Sequence, residues 1–218
     1  MMDIILSAFS SLLQNIFSFT GDWGISIIVL TLIVRVILLP LTLKQKSNFE
    51  KQQVYSKKVE EVKNRFKNDK KRLDEEMSKL SAEGLKNMLG CLVTLFQAPV
   101  IYMLYRVFLY MPAGATSILV PWASTITMPD PLYIIPILSV VFQLMPGLLV
   151  FFGALKNTNI PKLKRGQFIL ICAFNFLFLF KAPLNLGIYW CTSNLFSSSE
   201  QVLYSLYKKR KSAIPANL

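Results

Sequence analysis

Stretches of about 20 apolar residues, enough to cross ~30 Å of hydrocarbon as a helix, alternate along this chain with segments crowded with lysine and arginine. Few folds survive that pattern. A soluble domain spreads its charge over its surface and gathers its apolar residues into one core. Here 53% of 218 residues are hydrophobic while the net charge is +12, and the two populations occupy separate segments. The expected fold class is an all-α integral membrane protein. Its architecture is five transmembrane helices, an N-terminal amphipathic helix on the outer leaflet, and a cytoplasmic helical hairpin between the first and second transmembrane helices.

The first apolar run covers 24–43 and is interrupted only by Arg35; the second covers 88–110 and the third 132–152. A fourth, 167–181, is short, and a fifth covers 184–207. The basic residues fix the orientation. None precedes the first run, whereas 44–87 is dense with them from Lys44 to Lys86. The loop 111–131 has none, 153–166 carries Lys156, Lys162, Lys164 and Arg165, and the tail 208–218 carries Lys208, Lys209, Arg210 and Lys211. Lysine and arginine accumulate on the cytoplasmic side, so the N-terminus is outside and the C-terminus inside. The same charge would attract anionic lipid or ribosomal RNA, and no nucleic-acid-binding motif accompanies it.

Residues 1–20 form a separate element. Ser7, Ser11, Gln14 and Ser18 alternate at helical spacing with Ile5, Phe9, Leu12, Leu13 and Phe17, the pattern of an interfacial helix. A signal peptide is the other reading, but Asp3 stands where its basic region belongs and no small-residue cleavage site follows. Within 44–87, Tyr55, Val59, Val62 and Phe66 make one apolar stripe and Leu73, Met77 and Leu80 another. Asn68 and Asp69 suit the turn between them. These narrow stripes imply a mobile hairpin, with a solvated connector as the alternative.

The membrane segments also carry polar residues. Arg35 lies mid-helix, where a cation costs ~2.5–3.5 kcal/mol on insertion scales. The one acid inside an apolar segment is Glu200, so water in a cavity is the natural solvent for Arg35, and bonding to helix carbonyls is the alternative. Thr94 and Gln97, Gln143, Asn175, and the run Thr192, Ser193, Asn194, Ser197, Ser198 and Ser199 fall at central or cytoplasmic depths, while the outer portions are apolar. That distribution describes a cavity open to the cytoplasm and closed outside; a pore needs polar lining throughout. Interhelical hydrogen bonding is the other reading of Gln143 and Asn175, and plain packing that of Trp190. The fourth segment, about 14 apolar residues or ~21 Å of helix, would thin the bilayer locally. A thin, wet, positively charged half-channel eases the outward movement of a short acidic segment.

The chain has no histidine, and Cys91, Cys172 and Cys191 all lie in apolar runs. That composition offers no metal cluster and no His-dependent nucleophile. No catalytic residue, cofactor or metal is expected.

Several motifs carry a resemblance. Gly90-Cys91-Leu92 followed by Gln97-Ala98-Pro99-Val100, then Gly187-Ile188-Tyr189-Trp190 followed by Asn194, and Arg35 ahead of Leu39-Pro40-Leu41 resemble elements of the bacterial YidC/Oxa membrane-protein insertase family, in its short Gram-positive-type form. The resemblance covers roughly 22–207. It implies a hydrophilic groove open to cytoplasm and lipid, with Arg35 attracting acidic parts of a client. It assigns groove-lining positions to Gln97, Gln143 and Trp190, with Thr192, Ser193 and Asn194 beside them; Asn175 joins them from the polar pattern. Glu200 stands where members commonly carry glutamine, an acid that would partly offset Arg35. The implied partners are nascent membrane-protein clients, the ribosome, the Sec translocon and signal-recognition-particle receptor, and membrane lipid. The implied setting is the bacterial plasma membrane, with the protein acting as a monomer and without chemistry. A small-solute transporter or channel and a lipid-handling protein are the alternatives from other classes, although no internal repeat or midplane acid of a transporter is found.

Overall fold

The computed structural model describes residues 2–67, 69–80, 97–153, 155 and 165–213. Among them the regular structure is helical: α1 (Met2–Thr20), α2 (Trp23–Arg65), α3 (70–80), α4 (Gln97–Leu109), α5 (Ile134–Phe151), α6 (Arg165–Leu179) and α7 (Leu184–Ala213). The motif Gly90-Cys91-Leu92, Thr94 and most of the 153–166 connection lie outside the described residues. The chain divides into two units, one made of Met1–Arg35 with Tyr105–Leu218 and the other of Val36–Leu104.

In the second unit, α2 runs through Pro40 and on to Arg65 without a break. An apolar span that continues as a charged helix needs no special linker here. The residues after Leu43 are rich in Lys, Glu and Gln, contain no glycine, and are good helix formers. The helix stops at a turn whose next helix is capped by Asp69, where the Arg72 N–H donates to Oδ1 at 3.2 Å. The stripe residues Tyr55, Val59, Val62, Phe66, Leu73, Met77 and Leu80 are half-buried, whereas most of the charged positions between them are exposed.

The first unit holds the larger packed body. Phe17 stacks on Trp23 with ring centroids 3.9 Å apart, which fixes the turn from α1 into α2. Asp22 caps α2 by accepting from the Ile25 N–H at 2.8 Å. The segment 110–133 folds back on these residues. Its Ala115, Val120 and Ile126 are almost fully buried, and the Ile126 N–H donates to the Ala115 carbonyl at 2.8 Å. It approaches α2 so closely that a side chain on Gly24 would collide with Ser117. Asp130 closes the segment by accepting from Trp122 Nε1 at 2.9 Å and from the Ile135 N–H at 2.8 Å, which caps α5. The start of α7 is tied to the same segment, because Leu184 and Asn185 donate backbone bonds to the Met128 and Ile126 carbonyls.

α5 and α7 pack along their length. Gly187 permits the approach: a Cβ there would lie 2.8 Å from Ile135 Cγ2, the small-residue contact typical of helices in lipid. Pro146 within α5 cannot donate the helical bond that the Phe142 carbonyl would otherwise accept. The Ser198 hydroxyl of α7 donates to that carbonyl instead. α6 is 15 residues long, about 22 Å; it buries Asn175 and Leu179 and leaves Ile169, Leu170 and Leu177 exposed. In water those exposed side chains would be costly, whereas hydrocarbon accepts them. By length and composition α2, over Trp23–Asn48, and α5 can each cross a membrane.

Candidate functional site

The polar residues of α7 divide between two faces, since successive residues turn by about 100°. Tyr189, Ser193 and Glu200 follow i, i+4 and i+11 spacing and so share one face. All three are buried, with 3%, 4% and 7% of their surface exposed. Arg35 of α2 is also buried, at 9%, and Ile28 and Leu32, seven and three residues before it, line a cavity together with Thr192, Leu195 and Ser199 of α7. The Ser193 hydroxyl has no hydrogen-bond partner among the described residues. A buried hydroxyl without a partner costs roughly 1–3 kcal/mol, and in a functional site such a group is available to water or to a ligand.

The other face of α7 is bonded to its neighbours. Trp190 Nε1 donates to Asn175 Oδ1 on α6 at 3.0 Å. Asn175 Nδ2 donates to Gln143 Oε1 on α5 at 2.6 Å and to the Ile171 carbonyl at 2.9 Å, and the Ser139 hydroxyl reaches Asn175 Oδ1 at 3.4 Å. Asn194 Nδ2 donates to the Ser139 carbonyl at 3.2 Å. Asn175 is the hub: it is 1% exposed and joins three helices. Phe178 packs on Trp190 with centroids 4.9 Å apart, so the indole is held by its edge and by its face.

The residues singled out from the sequence therefore fall into separate groups. Arg35 and Ser193 are both buried, and the Ser193 hydroxyl has no partner among the described residues. Gln143, Asn175, Trp190 and Asn194 belong to the network that binds α5, α6 and α7. The Thr192 hydroxyl donates back to the Ile188 carbonyl at 2.8 Å and borders a cavity described next. Gln97 begins α4 in the other unit, and its side chain lies outside the described set. Sequence reasoning passed over Tyr189 and Ser139 as site residues. The signal was present in the spacing, since Tyr189 is four residues before Ser193 and Ser139 four before Gln143, which puts each on its partner's face.

A cavity of about 510 Å³ lies between α2, α5, α7 and the 110–133 segment, lined by Ile28, Leu32, Leu138, Phe142, Ile188 and Leu195 among others. Its volume falls in the range of small-molecule sites, and its lining is almost wholly apolar apart from Thr192 and Ser199. The bundle thus combines an apolar hollow with buried polar residues, Arg35 on α2 and Ser193 and Glu200 on one face of α7. That arrangement can hold apolar side chains or an acyl chain and can bind an anionic group. Among the described residues it groups no set of histidine, cysteine or carboxylate side chains able to hold a metal ion.

The sequence profile of the 60Kd inner membrane protein family matches residues 15–211. The chain is 33% identical over 206 residues to a protein of Aquifex aeolicus named membrane protein insertase YidC, an alignment that covers 93% of this chain and 39% of that protein. Proteins of the same name from Wigglesworthia glossinidia brevipalpis and Haemophilus influenzae are 32% and 34% identical over 92% and 88% of this chain, and over 36% and 35% of their own lengths. The chain thus spans less than two fifths of the length of these relatives. A family match over most of the sequence, on an all-helical body with membrane-length apolar helices, establishes that the chain is integrated in a membrane and belongs to the YidC/Oxa family of 60Kd inner membrane proteins.

Proposed function

We propose that the chain is a membrane-protein insertase and membrane chaperone that moves hydrophobic segments and short acidic outer tails of client proteins into the bilayer, without chemistry, nucleotide or cofactor. The observation that carries this reading is Arg35, a cation buried in the apolar part of α2. A single positive charge at that depth has little structural use and is costly to keep. It does, however, lower the barrier for an anion entering the membrane. At an effective dielectric near 20, unit charges ~8 Å apart attract by about 2 kcal/mol. The short α6 would thin the bilayer on one side of the bundle, and the apolar cavity would take client side chains as they leave water.

In this reading five helices span the bacterial plasma membrane, with the N-terminus outside and the C-terminus in the cytoplasm. The basic segment that includes α3 is cytoplasmic, where it meets the ribosome or the signal-recognition-particle receptor. Clients arrive from the ribosome directly or through the Sec translocon, and the protein acts as a monomer. The names of its relatives and the distribution of basic residues along the sequence support the reading.

Reconstituted liposomes test it. A single-span client with an acidic outer tail is presented without ATP, alongside the same client with a neutral tail. Wild type should insert both. Arg35→Ala should slow the acidic client roughly tenfold, matching a loss of about 1.4 kcal/mol, and change the neutral one little, while Arg35→Lys retains most of the activity. Equal rates for both clients in the Ala variant would remove the electrostatic role, and failure of wild type to insert either would remove the insertase reading.

A further inference from the structure

Residues 111–132 form no helix, yet they are not built like a loop in water. They contain no lysine or arginine, and their one acid, Asp130, is buried and accepts from Trp122, Leu132 and Ile135. Apart from Thr116 and Ser124, every side chain exposed there is apolar. Ile118 is 75% exposed, Met128 61% and Leu132 58%. Each of these stands where a helix starts. The Ile118 N–H donates to Asp22, the cap of α2. The Met128 carbonyl accepts from the N–H of Leu184, the first residue of α7. Leu132 lies two residues before α5 begins. Since α2 and α5 are long and apolar enough to cross a membrane, the segment lies at the level where their spans begin.

The segment also leaves little of its backbone to water. The Val120, Ala123 and Ile126 N–H groups donate to the Ser117, Val120 and Ala115 carbonyls. The Thr125 hydroxyl lies 2.9 Å from both the Ala113 and Ala115 carbonyls, and the Thr127 hydroxyl 3.2 Å from that of Ala113. Pro112, Pro121, Pro129 and Pro131 have no N–H to satisfy. Backbone that meets lipid must find its partners within the protein, a demand that water does not make.

We propose that 111–132 is a lipid-binding surface. It sits in the headgroup and upper acyl region of the leaflet where α2 and α5 begin, with Ile118, Met128 and Leu132 inserted among the lipid chains. Such a surface binds through the apolar area it buries, and without basic residues it needs no anionic lipid. Thr116 and Ser124 are left to the headgroups and water. Leu119 and Val120 of the same segment line the cavity, so a segment seated in lipid is the cavity wall on that side. The proposal requires only that the chain is integrated in a membrane, whether or not it inserts clients.

Spin labels in phosphatidylcholine liposomes test it, placed singly at Ile118→Cys and Met128→Cys in a background free of the native cysteines. Val141→Cys, exposed on α5, is the lipid reference, and Ser56→Cys, exposed on the basic part of α2, is the water reference. Collision with oxygen, which concentrates among acyl chains, is compared with collision with a water-soluble nickel chelate. At both test sites the ratio of oxygen to nickel access should lie several-fold above that of the water reference and approach that of the lipid reference. Nickel access at either site equal to that at Ser56→Cys would overturn the proposal, because the side chain then stands in water. Low access to both reagents would overturn it as well, because a second copy of the chain then covers the surface. Thermal unfolding in detergent checks that each labelled protein is folded. A variant that does not fold is replaced by Leu132→Cys, read against the same references with the same outcomes.

Discussion

Asp22 serves two elements at once with its two carboxylate oxygens. Oδ1 accepts from the Ile25 N–H and, at 2.7 Å, from the Ser117 hydroxyl; Oδ2 accepts from the Ile118 N–H at 2.7 Å. The residue caps α2 and also anchors the 110–133 segment. Burial pushes its carboxyl upward, but the hydrogen bonds from Ile25, Ile118, Ser117 and Gly24 outweigh that and hold it below its usual 3.8. A carboxyl lowered in the folded state contributes stability that is complete above its ordinary range and is lost as pH falls through the folded value. Asp22→Asn should therefore destabilise the protein by roughly 1–3 kcal/mol near neutral pH. In acid the variant should approach wild type, as followed by thermal unfolding in detergent. A difference that stays constant down to about pH 3 would show that the charge contributes nothing. The cap itself is legible in sequence, since an aspartate just ahead of an apolar run signals a helix start. The bond to Ser117, 95 residues away, is not, because nothing local encodes it.

At the scale of helices, the decisive feature is the hub at Asn175. A polar residue in an apolar segment announces that it needs a partner, since lipid offers none. The sequence leaves open whether that partner is water, a client or another helix. The contacts to Gln143, Ile171 and Trp190 supply the answer: α5, α6 and α7 hold one another, and the indole of Trp190 is set by that bond. Interhelical bonds of this kind contribute ~0.6 kcal/mol each on average and up to ~1.7. Asn175→Leu should thus cost about 1–3 kcal/mol and shift the emission of Trp190, measured with Trp23 and Trp122 replaced by phenylalanine. Unchanged emission and stability would mean that the hub does not hold Trp190. Pro146 gives the same lesson in the backbone. Its position alone shows that the Phe142 carbonyl lacks its helical donor, but that Ser198 supplies the replacement follows only from the α5–α7 approach at Gly187.

For the whole molecule, the proposed orientation is the property most open to direct measurement. Ser124 and Ser56 are both exposed, one in the segment without basic residues and the other in the basic part of α2. In a background free of the native cysteines, Ser124→Cys should react with a membrane-impermeant maleimide on intact cells. Ser56→Cys should react only after lysis, and the reverse pattern would invert the topology. The helical class and the membrane-length apolar spans are legible in the amino-acid sequence because hydropathy and charge are local properties that add along the chain. The proposed function is legible there as far as Arg35, because a cation in hydrocarbon is expensive wherever it occurs. The partners of the polar residues are not, since they depend on how each helix is rotated against its neighbours. Ser193 and Asn194 are adjacent in sequence, alike in polarity and about 100° apart around α7. One is buried on the face shared with Glu200, without a partner among the described residues; the other is bonded to α5. Composition and periodicity determined that this stretch of helix is polar inside an apolar body, and only the packing of α7 against α5 and α6 decided which residue is bonded to its neighbours and which is buried without a partner among the described residues.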